Sequence, residues 1–326
     1  MSTVSTGTVT VDGRKVLVRR VTPVAATAPP LVVVHGGPGM THDYLTDLDR
    51  LAELPGSERE VISYDQAGCG CTARPDIVPP WSLGVFVDEL AGLIDALSLD
   101  SYDLLGHAAG GWITLVFALR QPAGLLRLVL ASTCADMPLY RREITALKDA
   151  LPDGLGSVID RCEAEGTTNS AEYGRAYGAF QKLHVLRLEH MPDHMLTSIA
   201  GLNEEIYGSL LGPEWNMTGS LKEWSVADRL GELDLPVLVT SGRFDEMTPA
   251  TVRPMVDAIP GALWRIFENS SHMAMMEEPE EYAQVVAAFL GKCLGASSTD
   301  QALLQGAHDD ATTRRLRPPH PLGLRP

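Results

Sequence analysis

Long apolar runs, paired cysteines and a surplus of basic charge are all missing from this sequence. No stretch approaches the roughly 20 apolar residues of a membrane-spanning helix, and the first ten residues lack the basic start and apolar stretch of a secretory leader. Neither an export signal nor a membrane span is expected. Only 26 Lys and Arg stand against 42 Asp and Glu, a net charge of −16. That balance argues against nucleic acid or an anionic membrane surface as a partner, because both select basic patches. Small or cationic ligands fit better. The five cysteines (Cys69, Cys71, Cys134, Cys162 and Cys293) are odd in number and lack Cys-x-x-Cys spacing. They read as reduced thiols of a cytoplasmic protein rather than as a zinc site or a disulfide framework. No Gly-x-Gly-x-x-Gly and no His-Glu-x-x-His occurs, and Pro192 interrupts the one i, i+4 histidine pair, His190 and His194. No cofactor and no metal are expected, His184 included.

What is present is core material, 45% hydrophobic residues in a chain of 326, enough for a substantial interior. Two β-rich runs, 8–11 and 15–21, flank Asp12-Gly13, a pair suited to a tight hairpin turn. After Pro29-Pro30, short apolar runs at 31–34, 61–64, 102–105, 126–131 and 236–240 alternate with helix-length segments. This predicts a mostly parallel sheet covered by helices. Residues 82–97 carry apolar side chains at helical spacing behind Ser82, which can cap the helix.

The strand rhythm stops between residues 136 and 225, where a helical cap is expected. That segment holds 14 Asp and Glu against 8 Lys and Arg, so it is acidic by 6. The core is thus expected at 1–135 and 226–294. Residues 295–326, with Ser, Thr, Gly and Pro around Arg314, Arg315 and Arg317, read as a flexible tail.

Four stretches carry chemistry. His35-Gly36-Gly37-Pro38-Gly39 follows the run 31–34, and glycines at a strand end let backbone N–H groups approach a developing oxyanion. Gly106-His107-Ala108-Ala109-Gly110 follows the run 102–105, with small residues two before and two after position 108. That is the spacing of the nucleophile elbow of α/β-hydrolases, whose middle residue should be a serine; here it is Ala108. A helix is expected to begin near Trp112. Asp245 follows the run 236–240 and His272 follows 263–267, the acid-then-histidine order of that fold's triad. The oxyanion donors expected are the N–H of Ala109 and that of Gly37, because Pro38 has none.

These stretches, with Asp65-Gln66-Ala67-Gly68-Cys69-Gly70, Phe86-Val87-Asp88-Glu89-Leu90 and Gly242-Arg243-Phe244-Asp245-Glu246, resemble the proline iminopeptidase-like branch of the α/β-hydrolases over roughly residues 5 to 294. The resemblance implies removal of an N-terminal amino acid whose free α-ammonium is read by glutamates. The family's Gly-Pro-x-Glu-aromatic segment is similar to Gly212-Pro213-Glu214-Trp215 with one residue deleted, which makes Glu214 the matching position. The other glutamate directly follows the catalytic aspartate, and here that is Glu246. Two departures stand out: Ala108 for serine, and Cys71 for the basic residue often found after the second motif. Asp65 and Gln66 are expected to brace loops, and Cys69 to pack.

The implied substrate is a peptide or small molecule with a free α-amine. The acyl group is proline or another small amino acid, and an aminoacylated natural-product intermediate is one candidate. An esterase or thioesterase of the same fold is the alternative. Two accounts of Ala108 stay open, a serine replaced to trap a substrate complex or a natural pseudo-hydrolase that binds without cleaving. Intact Asp245, His272 and oxyanion loops favour the first. Met191, Met195, Leu196, Ile199, Leu202, Ile206, Tyr207 and Leu210 could build an apolar cap pocket or serve as plain helix packing. The oligomeric state is not legible.

Overall fold

The computed structural model describes residues 2–55, 57–72, 74 and 81–291. Asp12 and Gly13 both take positive φ, 48° and 78°, as a two-residue hairpin turn with the twist of its strands requires. They join β1 (Thr3–Val11) to β2 (Arg14–Thr22). β1 is longer than the run that predicts it. Residues 3–7 pair with β2 although their side chains are exposed and show no apolar alternation.

The remaining strands are β3 (Leu31–Val34), β4 (Val61–Tyr64), β5 (Tyr102–His107), β6 (Leu125–Ala131), β7 (Val237–Gly242) and β8 (Leu263–Phe267). One sheet holds all eight in the order β1-β2-β4-β3-β5-β6-β7-β8. Pairing is antiparallel from β1 to β2 and from β2 to β4, and parallel from β4 onward. β3, β4, β5 and β7 are buried along their whole length, the mark of strands covered on both faces.

Helices α1 (Leu83–Ala96), α2 (Ala109–Ala118), α8 (Pro249–Ala258) and α10 (Pro279–Leu290) belong to the sheet layer, and a four-residue turn, α9 (Ala274–Glu277), precedes α10. Ser82 occupies the start of α1 but its side chain makes no capping bond. α2 begins three residues before Trp112, because the elbow runs straight into its first turn. No helix among the described residues is long and apolar enough to cross a membrane.

Between β6 and β7 the chain leaves the sheet through five helices, α3 (Met137–Asp149), α4 (Leu155–Glu165), α5 (Ala171–His184), α6 (Asp193–Ala200) and α7 (Glu204–Leu210). The excursion is closed at its base by an antiparallel bridge between Asp136 and Ser225. Asp136 also caps α3 by accepting the Leu139 N–H at 2.6 Å, and it accepts the Ser225 hydroxyl at 2.9 Å. The expected tail, 295–326, lies outside the described residues.

The strand register decides where chemistry can occur. Val34 pairs with Gly106, His107 with Ala131, Ala131 with Thr240, and Gly242 with Phe267. The carboxyl ends of β3, β5, β6, β7 and β8 therefore line up, and the segments carrying Gly37, Ala108, Asp245 and His272 all emerge on one edge beneath the helical excursion.

Candidate active site

The elbow owes its shape to contacts that exclude side chains. A Cβ on Gly106 would lie 2.3 Å from Thr114 Oγ1 and 2.4 Å from Gly110 O, and one on Gly110 would lie 2.0 Å from Val34 O. With both flanks this tight, the residue between is forced to φ 51°, ψ −119°, a conformation L residues rarely adopt and that surrounding structure must hold. Three hydrogen bonds hold it. The Ala108 N–H donates to Ala131 O at 2.9 Å, and Ala108 O accepts from Gly111 N–H at 2.9 Å and from the Thr133 hydroxyl at 2.8 Å. The side chain at 108 is thereby turned toward the cavity, which it lines.

The glycine loop lies directly against this elbow. A Cβ on Gly36 would come within 2.8 Å of Ala108 Cβ and 3.1 Å of Ala109 N. Gly36 donates its N–H to the Tyr44 hydroxyl at 2.8 Å. Gly37, at φ 118°, and Ala109 both line the cavity, and their N–H groups face no protein acceptor among the described residues.

His272 sits across from Ala108 and donates Nδ1–H to Asp245 Oδ1 at 2.8 Å. Asp245 is fixed in turn by the Met247 N–H, 2.8 Å from the same oxygen. Burial disfavours the imidazolium of His272, but Asp245, Glu246 and Glu214 outweigh it and push its pKa up to about 9.

Glu246 Oε1 is 3.7 Å from His272 Nε2, and its carboxyl meets that of Glu214 within hydrogen-bonding distance. Glu214 is half-buried as a residue, yet its Oε2, like Oε2 of Glu246, is out of solvent and without a partner among the described residues. Burial and then mutual repulsion push the Glu214 carboxyl well above the ordinary carboxylate range. Burial raises Glu246 too, while His272 pulls it back. Tyr177 lies beside Glu214, and that carboxylate and then burial push its phenol pKa up.

The structure therefore brings Ala108, Asp245, His272, Gly37, Ala109, Glu214 and Glu246 to one cavity of about 1280 Å³. Of the apolar cap residues, Met191, Met195, Ile199, Leu202 and Tyr207 line it, whereas Ile206 and Leu210 are core and Leu196 is half exposed. Asp65 braces the approach by accepting from His42 N and Nδ1 and from Cys71 N, and the Gln66 side chain donates to His35 O at 2.6 Å. Cys69 is buried and its thiol pKa is pushed up by burial. His194 pairs with Asp47 at 3.0 Å and His190 is exposed.

Three contributors are given no role by the sequence patterns. His107 is buried, and burial, then the nearby His272, pushes its pKa well down, so its ring is neutral. Its Nε2–H donates to the backbone carbonyl of His272 at 3.0 Å, which leaves Nδ1 to accept from the Tyr44 hydroxyl at 2.9 Å. Gly36, Tyr44, His107 and His272 thus form one chain of hydrogen bonds joining the glycine loop, the elbow and the histidine loop. The third is His184, at the end of α5. Its carbonyl accepts the N–H of both Glu246 and His272 at 3.2 Å, and its Nδ1 donates to Phe244 O at 2.9 Å.

An eight-stranded, mostly parallel sheet with an elbow after β5, an Asp after β7 and a His after β8, all at the same edge, defines an α/β-hydrolase. The family model described as alpha/beta hydrolase fold matches residues 29–279. A proline iminopeptidase of Heyndrickxia coagulans is 38% identical over 263 residues, covering 80% of this chain and 90% of that protein. The crystal structure of a proline iminopeptidase from Mycobacterium smegmatis superposes with a TM-score of 0.83 at 37% identity, over 88% of this chain and 97% of the other. That of a protein named VinJ also gives 0.83, at 35% identity over 88% and 98%. The chain belongs to the proline iminopeptidase family of α/β-hydrolases.

Proposed function

We propose that this site is built to remove an N-terminal aminoacyl group, proline or another small amino acid, from a peptide or an aminoacylated small molecule, and that the present chain lacks only the nucleophile. The observation that carries the reading is the Glu214–Glu246 pair, buried beside His272. Two carboxyls out of water are unfavourable unless a cation answers them, and a substrate's α-ammonium supplies one with charge-assisted hydrogen bonds.

With serine at 108, Oγ attacks the acyl carbon and its proton passes to Nε2 of His272, while Asp245 orients the ring and stabilises its cation. The carbonyl oxygen becomes an oxyanion held by the N–H groups of Gly37 and Ala109. Collapse breaks the C–N bond as His272 returns the proton to the leaving amine, and water then repeats the sequence to free the amino acid. Ala108 has no atom that can attack, so the chain binds and scarcely turns over. The strained elbow, the unpartnered N–H groups and the ordered Asp245–His272 pair favour a substituted serine over a protein built only to bind.

The relatives named proline iminopeptidases favour proline as the acyl group. A cavity of about 1280 Å³ exceeds the 300–1,000 Å³ or so of common ligand sites, and its methionine-lined limb supports a leaving amine larger than one residue.

Making Ala108→Ser and assaying prolyl and alanyl amides tests the reading. A rise in kcat on the order of 10⁶ is expected, the scale of a serine knockout in subtilisin. Inactivity on every aminoacyl amide would overturn it. Adding Glu214→Gln should lower kcat/KM on free-amine substrates by roughly 100-fold, since it removes one partner of a buried charge contact. Unchanged cleavage would favour the esterase or thioesterase alternative.

A further inference from the structure

The Glu246 carboxyl faces two ways. Oε1 lies 3.7 Å from Nε2 of His272, the nitrogen that must be free to accept a proton, and the same carboxyl meets Glu214. Asp245 and Glu246 face the imidazole from the segment after β7, Glu214 from the cap, and neutral His107 from the end of β5, its ring centroid 4.8 Å away. Tyr140 on α3, Tyr177 on α5 and Tyr207 on α7 face the two glutamates, all with phenols held neutral. Lys182 lines the same cavity from α5. Three carboxyls thus converge on one imidazole, and in the empty site the positive charge closest to them is the imidazole's own.

We propose that Glu246 lets His272 act as a base only when an α-ammonium is bound: without substrate the carboxylate pairs with the imidazolium at Nε2, and the arriving ammonium takes the imidazolium's place. This rests on the aminoacyl reading above and gives Glu246 a role in specificity beyond affinity. The proton balance is definite. One ammonium enters and His272 loses its Nε2 proton to solvent as both carboxyls turn to the ammonium. The freed Nε2 lone pair then faces position 108.

The charges surrounding His272 agree in sign with this order of events, since together they hold its pKa up to about 9. A unit positive charge placed about 6 Å from the ring, at an effective dielectric near 20, lowers that value by roughly two pH units. An acyl compound without a free amine leaves the imidazolium in place. Selection against it then falls on kcat as well as on KM.

The chain as it stands suits the test, because Ala108 leaves an amide intact. Histidine labelled with ¹⁵N is titrated by NMR with and without saturating prolinamide or alaninamide, and with the N-acetyl amides as controls. The His272 pKa should fall by at least about one pH unit with the free amines and stay in place with the acetylated ones. Calorimetry at pH 8 in buffers of different ionisation heat should show about one proton or more released per bound amine. A bound amine that leaves the His272 pKa unchanged overturns the proposal. Failure of every aminoacyl amide to bind overturns the aminoacyl reading and the proposal with it. Glu246→Gln, titrated without ligand, separates the two. It should lower the empty-site His272 pKa by about one unit, and an unchanged value overturns the gating by Glu246 while leaving ammonium recognition by Glu214 standing.

Discussion

Tyr44→Phe and Tyr64→Phe remove the same atom from equally buried places, and the structure gives them opposite outcomes. The Tyr44 hydroxyl accepts the Gly36 N–H at 2.8 Å and donates to His107 Nδ1 at 2.9 Å, while Tyr44 and His107 are each 1% exposed. Its loss leaves a buried donor and a buried acceptor unsatisfied, each costing about 1–3 kcal/mol. A destabilisation of roughly 2–4 kcal/mol follows, the upper end moderated by relaxation of the glycine loop. With an unfolding entropy near 2.1 cal/mol/K per residue over roughly 290 folded residues, 3 kcal/mol lowers Tm by about 5 °C. The Tyr64 hydroxyl is also fully buried but has no partner among the described residues. Tyr64→Phe should be neutral or stabilising by up to about 1 kcal/mol, because it deletes an unsatisfied group. Scanning calorimetry of the parent and both variants, supported by urea midpoints, makes the comparison. Equal losses, or a Tyr44→Phe variant within about 0.5 kcal/mol of the parent, would refute the hydrogen-bond accounting on which the joined loops rest.

Glu89 accepts the Ala67 N–H at 2.8 Å in a buried site, and burial pushes its carboxyl up to about 7. A carboxyl raised above its unfolded value contributes stability that is present below about pH 4.5 and lost as pH rises through about 7. Urea unfolding of the parent should therefore show stability falling across that window, by up to about 3 kcal/mol from this group, and Glu89→Gln should flatten the fall. An identical slope in both chains would count against it. Gly110→Ala places a Cβ 2.0 Å from Val34 O and should yield little soluble protein. Gly174→Ala, at an exposed position of α5 with nothing within 4 Å, should stabilise by about 0.5–1 kcal/mol. Soluble yield and thermal melts of the pair check whether close approach at the elbow, rather than glycine content as such, sets the difference.

The strands were legible where burial on both faces writes a continuous apolar run, as in Leu31–Val34 and Val61–Tyr64. Residues 3–7 were not, because an exposed edge paired on one side imposes no apolar pattern. The glycines of the elbow and the glycine loop were legible because only glycine tolerates a neighbour's backbone at 2.0 to 2.7 Å, so local geometry and residue type coincide. Glu214 and Glu246 were reached through a resemblance. What drew them together is the folding of the cap over the strand ends, a long-range event no local pattern records. Tyr44, His107 and His184 were missed for the same reason. Their roles consist of single hydrogen bonds across 8, 63, 165, 60 and more residues of sequence. Position 107, inside the elbow motif itself, carried the one hint: a histidine where the turn demands little of the side chain. On α7 Tyr207 lines the cavity while its neighbours Ile206 and Leu210 are core, and spacing alone does not tell a wall from an interior.

The bridge between Asp136 and Ser225 has a consequence for how such a protein diversifies. Opposed residues of an antiparallel pair stand only about 5 Å apart, so the chain leaves the sheet and re-enters it at nearly the same point. Five helices hang from a doorway one residue pair wide. A different set of helices could be hung from that doorway by recombination at its two jambs, leaving Ala108, Asp245 and His272 undisturbed while exchanging the cap walls of the cavity. The helical portion of the molecule is in this sense interchangeable stock, and the sheet edge beneath it a standing tool.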